Sequence, residues 1–133
     1  MMQPNNKTNY KEWFDMGKRD LEDAELLLDE GRLENAAILL QQSLEKYLKG
    51  FLIKKGWELK KTHNLSLLLA DAMKYSPQLR NFENICKKAG AYYFEDRYPG
   101  FRKEPNISEL KSEFNHAKEL INILIRANSR KVK

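Results

Sequence analysis

Residues 35–56 read NAAILLQQSLEKYLKGFLIKKG, and this stretch decides the fold. Leu33, Ala37, Leu40, Leu44, Tyr47, Leu48 and Phe51 recur three and four apart, the spacing of one helical face. Ile38 and Leu39 fall off that face, so the first half is apolar nearly all round, the pattern of a helix enclosed by others. The second half reads as amphipathic, with Glu45, Lys46 and Lys49 on a shared polar flank. Lys54 and Lys55 suit the negative end of the helix dipole, and Gly56 can take a left-handed cap. The stretch is therefore read as the central helix of an all-helical domain. Its polar residues, Gln41, Gln42, Glu45, Lys46 and Lys49, are the first place to look for function.

Upstream, Asn9 and Glu12 make a capping pair for a first helix. Phe14, Gly17, Leu21, Ala24 and Leu28 then form a three-four seam, on which Gly17 lets a neighbouring backbone come close. Asp20, Glu22, Asp23 and Glu25 make the outer face negative. Gly31 ends this helix, and the short connection makes an antiparallel hairpin with the second.

Downstream, Trp57, Leu59, Lys60 and Lys61 fall in a loop. Asn64 reads as the N-cap of a short helix carrying Leu65, Leu68, Leu69, Ala72 and Met73. Ser76 and Pro77 read as N-cap and first residue of a fourth helix, with Leu79, Phe82, Cys86, Ala89 and Tyr93 on its apolar face. Pro99 disfavours helical geometry in the residue ahead of it, so residues 95–105 are expected as a loop. Asn106 and Glu109 form a second capping pair for a fifth helix with Leu110, Phe114, Ala117, Ile121 and Leu124 on its seam, flanked by Ile107, Leu120 and Ile125. Residues 1–8 and 127–133 are expected to fray. The sum is a single all-α domain over residues 1–133: an up-and-down bundle of four long helices plus one short helix, the second helix most buried. Strict seams on both the first and fifth helices exceed what one small bundle needs, so a homodimer is expected to cover them.

At 133 residues, 41% of them hydrophobic, the chain can bury a real core without staples. A single cysteine, Cys86, forbids an intrachain disulfide; it reads as a small buried hydrophobe. The first ten residues carry no apolar leader core, and no run approaches the ~20 apolar residues that span a bilayer. A soluble, cytoplasmic protein that keeps off membranes is expected. The net charge of +5, from 24 basic and 19 acidic residues, is a mild bias compatible with a nucleotide or RNA.

No motif of known chemistry is present. The two histidines, His63 and His116, stand far apart and show no zinc-ligand spacing, so neither a metal nor a cofactor is expected. The glycines make no phosphate loop, and no serine sits in a nucleophile elbow. Two clusters remain. Lys60, Lys61 and His63 follow Lys54 and Lys55; His63 reads either as a ring that satisfies a helix end or carboxylate, or as a ligand contact. Tyr92, Tyr93, Phe94, Arg97, Tyr98, Phe101 and Arg102 interleave aromatics with arginines, a pattern that stacks bases and grips phosphates or else completes the core.

Gly31, Ala37 with Gln41-Gln42, Glu45-Lys46, Leu48-Lys49, Gly56, Thr62-His63-Asn64-Leu65 and Arg97-Tyr98-Pro99 resemble the HEPN domain family, in order and spacing, from about Trp13 to Ile125. The resemblance implies a helical bundle that dimerises. It also implies a minimal nucleotidyltransferase as partner, since many small prokaryotic members act with one as a toxin–antitoxin pair. Other members are ribonucleases or nucleotide-binding modules. The ribonucleases carry an Arg followed four to six residues later by His. Here Arg97 aligns best, but Arg102 and Lys103 stand where that His is needed, and Arg80 is followed by Cys86. The usual general base is thus missing, which weighs against ribonuclease activity. The resulting expectation is a non-catalytic module that binds a nucleotide, an RNA or a nucleotidyltransferase through Arg97, Tyr98, Arg102, Lys46, Lys49, Glu45 and His63. The alternatives are a ribonuclease in which His63 or His116 serves Arg97 as base, and a helical interaction domain without ligand.

Overall fold

The computed structural model describes residues 9–58, 61–97, 100 and 105–129, the side chains of 94–97 and 127–129 apart. Its elements are α1 (Tyr10–Asp29), α2 (Leu33–Lys54), α3 (Leu65–Met73), a 3-10 segment (Pro77–Phe82), α4 (Glu83–Arg97) and α5 (Ile107–Ser129). No strand occurs among the described residues, so the all-α bundle of four long helices and one short one stands. The core is Leu40, Leu44, Leu48, Phe51 and Leu52 of α2 packed against Leu65, Leu68 and Leu69, Cys86 and Ala89, and Leu110, Phe114 and Leu120.

The hairpin of α1 and α2 is the tightest unit. Gly31 takes φ +80°, and the Arg32 and Gly31 N–H groups donate back to Leu27 O (2.9 Å) and Leu28 O (3.0 Å). Gly56 repeats the device at φ +95°, with Trp57 N–H on Leu52 O at 3.0 Å. Both are left-handed caps that absorb orphaned carbonyls while the chain reverses. Between these ends the helices touch through missing side chains. A Cβ on Gly17 would lie 2.8 Å from the Tyr47 ring and 3.3 Å from Ser43 O, and one on Gly50 would lie 2.7 Å from the Phe14 ring. Ser43 Oγ donates to Gly17 O at 2.8 Å, and Lys46 Nζ pairs with Asp20 at 2.5 Å.

Several expectations need correction. The second half of α2 is not amphipathic: Tyr47 through Ile53 are all buried, and so are Glu45 (8% exposed) and Lys49 (5%). Two opposite charges one helical turn apart satisfy each other, so neither has to face water. Ile38 and Leu39, at the end expected to be enclosed, are half-buried. Ser76 does not cap an α-helix; Pro77 opens the 3-10 segment, whose three-residue turn brings Leu79 and Phe82 to one side. The Asn9 side chain makes no cap, whereas Asn64 Oδ1 accepts from Leu67 N–H (3.1 Å) and Asn106 Oδ1 from Glu109 N–H (3.0 Å). α4 runs on through Arg97, and α5 through Ser129, into stretches expected as loop and frayed tail.

The seam of α5 is filled within the chain: Leu110, Phe114, Ala117, Ile121 and Leu124 are all buried. On α1, Gly17 and Ala24 are buried, whereas Phe14, Leu21 and Leu28 are half-buried. Exposed large apolar residues among those described are Leu26, Leu67, Tyr75, Ile107 and Ile125, on separate elements or at opposite ends of α5.

The glycines predict substitutions of opposite sign. Gly17→Ala should lower stability by about 1–3 kcal/mol, because ring and backbone both obstruct the new methyl. Gly90→Ala in α4, where the nearest atom is Leu65 Cβ at 3.8 Å, should raise it by about 0.5–1 kcal/mol through helix propensity. Urea denaturation of both variants is the measurement.

Candidate functional site

Gln41, Glu45 and Lys49 recur every four residues and so share one stripe of α2. The carboxylate of Glu45 is its centre. Lys49 Nζ donates to Glu45 Oε2 at 2.9 Å, and Gln41 Nε2 donates to Oε1 at 3.1 Å. His63, just ahead of the Asn64 cap of α3, completes the cluster: its Nδ1 lies 3.0 Å from Oε2 and 3.2 Å from Oε1. An ionised carboxylate only accepts, so Nδ1 carries the proton when it bonds Glu45, and Nε2 is left with no hydrogen-bond partner among the described residues. Gln41 Nε2 also approaches His63 O at 3.5 Å, and Gln41 Oε1 is buried with no partner among the described residues. Turning that amide over would aim its oxygen at two acceptors, so the network dictates its orientation.

The imidazole stacks on Tyr93 of α4, ring centres 4.6 Å apart and planes 19° from parallel. The His63 side chain is 49% exposed, so the buried cluster meets solvent at this ring. It opens on a groove of about 440 Å³ lined by Lys61, Thr62, His63, Ser66, Lys87 and Tyr93, with Gly90 and Cys86 behind. Lys61 and Lys87 are exposed and pair with no carboxylate among the described residues. The first turn of α3 also lines the groove, adding the positive end of a helix dipole. Burial pushes the Cys86 thiol up to about 12, so it is no nucleophile at neutral pH. Among the described residues no three His, Cys, Asp or Glu side chains converge as for a metal ion.

Of the site residues expected from sequence, the structure brings together Glu45, Lys49 and His63. Lys46 is drawn off the other way, into its ion pair with Asp20 of α1. Arg97 is the last residue of α4, one turn beyond Tyr93; its side chain, Tyr98 and Arg102 lie outside the described residues. His116 lines a separate cleft of about 140 Å³ between α4 and α5. There Tyr92 Oη donates to Glu113 at 2.7 Å, and burial holds the Glu113 carboxyl above the usual range, with the Glu109 charge adding to the rise and the Tyr92 hydrogen bond and Lys88 opposing it. Sequence reading missed Lys87. The signal was its spacing with Gly90 and Tyr93, three apart on one face of α4 and interrupted by a residue without a side chain.

A family model described as HEPN domain matches residues 10–128. A solved structure of an archaeal HEPN homologue superposes with a TM-score of 0.70 at 26% identity, covering 90% of this chain and 98% of that one. No match is found among curated proteins.

Two predictions follow from the buried charges. Glu45→Ala strands Lys49 in the core and should lower stability by about 3–5 kcal/mol, against a smaller loss for Glu45→Gln, in chemical denaturation. Glu113 is raised in the folded state, so its contribution is fully present at acid pH and is lost as pH rises above the ordinary carboxylate range, about pH 4 upward. The wild type should therefore lose stability relative to Glu113→Gln as pH rises above about 4, measured as the difference between their denaturation midpoints.

Proposed function

The chain belongs to the HEPN domain family, and we propose that it is a non-catalytic binding module whose groove beside His63 takes a phosphate-bearing nucleotide. One observation carries this reading: a half-exposed imidazole, fixed through Nδ1 by a buried carboxylate, presents Nε2 to a groove that also holds two lysines with no carboxylate partner among the described residues. Lysines serve a phosphate as point charges, and the positive end of α3 adds to the same field. Arg97, Tyr98 and Arg102, which begin one turn past Tyr93, are proposed to extend the contact. Lys46 leaves the proposed set because Asp20 occupies it.

Family membership further supports a homodimer that acts with a minimal nucleotidyltransferase in a toxin–antitoxin-type pair inside the cytoplasm. No helix among the described residues is long and apolar enough to cross a membrane. The test is calorimetric titration with ATP and GTP, then with the Lys61→Glu/Lys87→Glu double variant. Binding to the wild type that weakens about tenfold or more in the variant is the expected result. Absence of heat with both nucleotides would leave a helical interaction domain without ligand.

The second reading is a ribonuclease in which His63 replaces the missing base. The Glu45–His63 contact favours it, because a carboxylate on Nδ1 leaves Nε2 as a proton acceptor. RNA cleavage by the wild type that disappears in both His63→Ala and Arg97→Ala would put this reading first.

A further inference from the structure

The way His63 is held has a consequence for when the groove can grip an anion. Glu45 is buried and lies within hydrogen-bond distance of Lys49, Gln41 and His63, of which His63 is the half-exposed one. With a neutral imidazole, Nδ1–H faces Glu45 and Nε2 offers the groove a lone pair, which repels an anionic oxygen. With a protonated imidazole, Nε2 becomes a donor and the ring gains a charge that Glu45 stabilises from behind. The same atom that rejects a phosphate in one state donates to it in the other.

We propose that Glu45 is a positioning residue that makes His63 a proton-controlled phosphate contact, so that the groove binds a phosphodiester tightly at mildly acidic pH and releases it as pH rises. This rests on the nucleotide-binding reading of the same groove. Among the described residues, titratable and charged groups face His63 from several elements. From α2 they are Glu45 and, through it, Lys49; from the preceding loop, Lys61; from α4, Lys87, Cys86 and Tyr93; the first turn of α3 contributes no titrating side chain. Burial keeps the Cys86 thiol protonated through the neutral range. Histidine is the side chain whose charge ordinarily changes between pH 5 and 8, which leaves it as the switch. Lys49 neutralises Glu45 in either state, so the folded core does not depend on the proton.

The probe is the thymidine dinucleotide dTpdT, whose single phosphodiester keeps one charge across this range and lacks the 2′-hydroxyl that a ribonuclease would use. Affinity should rise about three- to tenfold from pH 8 to pH 5.5, the worth of one added charge-assisted hydrogen bond at a half-exposed site. His63→Gln should bind at all pH values with the weaker affinity and a flat profile. Glu45→Gln keeps an acceptor at Nδ1 but no charge behind the ring, so its acid-side gain should be smaller, and Glu45→Asp should restore part of it. The His63 ring proton resonances, followed by NMR through the same range, should shift together with the affinity in the wild type. Native circular dichroism and a cooperative melt are required of each variant before its profile is read. Wild-type binding that is independent of pH overturns the proposal, as does a pH profile unchanged in His63→Gln. Failure of dTpdT to bind at pH 5.5 while ATP binds also overturns it, and failure of both ligands overturns the nucleotide reading beneath it.

Discussion

A carboxylate and an ammonium inside a helical core set the terms for the rest of this structure. Glu45 and Lys49 sit on the most buried helix of the bundle, 2.9 Å apart and almost shut off from water. Isolated, either charge would cost several kcal/mol to bury. Together, and joined by Gln41 and His63, they are tolerable only while every member stays in place. The network therefore requires α2 to remain one continuous helix through residues 41–49, and it requires the segment before α3 to return across it. An apolar core alone would seat α3 in several similar positions. Nδ1 placed against both carboxylate oxygens accepts far fewer.

The α1–α2 hairpin supplies the rigidity this arrangement needs. Gly17 and Gly50 let rings of the opposite helix, Tyr47 and Phe14, occupy the space a methyl group would take. Burial, reinforced by the Glu22 and Asp15 charges, holds the Tyr47 hydroxyl protonated beyond the ordinary range, which suits a ring wedged between helices. Phe14 also packs on Tyr47, ring centres 5.5 Å apart, and Lys46 and Asp20 pair across the same seam. The flank of α2 opposite the groove is thus occupied by a tightly seated neighbour, and the polar stripe of Gln41, Glu45 and Lys49 is directed to the remaining helices.

Much of this bundle was legible in the sequence, for reasons that are local. Three-four spacing marked all the helices; Gly31 and Gly56 marked the reversals; Asn64 and Asn106 marked real caps. The HEPN resemblance drew on the same stretches. What escaped was non-local. Glu45 and Lys49 look like a solvated flank because hydropathy scores each residue alone, whereas their burial depends on each other and on a histidine 18 residues downstream from Glu45. The seam of α5 looked like an interface because spacing cannot tell which helix will fill it. Asn9 failed as a side-chain cap although its pattern with Glu12 matches that of Asn106 with Glu109. Lys46 and Lys49 were equivalent on paper; the helix turns one to Asp20 and the other to Glu45.

The position of α4 shows why the site lies where it does. Its buried side chains among the described residues are Ile85, Cys86 and Ala89, small or medium in size, and Gly90 brings its backbone near Leu65 at the start of α3. Two consecutive tyrosines, which point roughly 100° apart around the helix, add further attachments. Tyr92 reaches Glu113 on α5, and Tyr93 stacks on His63 in the segment before α3. Each hydroxyl or ring meets a titratable group, and Tyr92 packs on the hydrophobic core as well. The seat of α4 is thereby tied to the half-exposed His63, and the wall carrying Lys87 and leading to Arg97 is positioned through the same imidazole that closes the Glu45 network. Core polarity and surface recognition meet at one ring, which touches the Glu45 carboxylate on one side and the groove on the other.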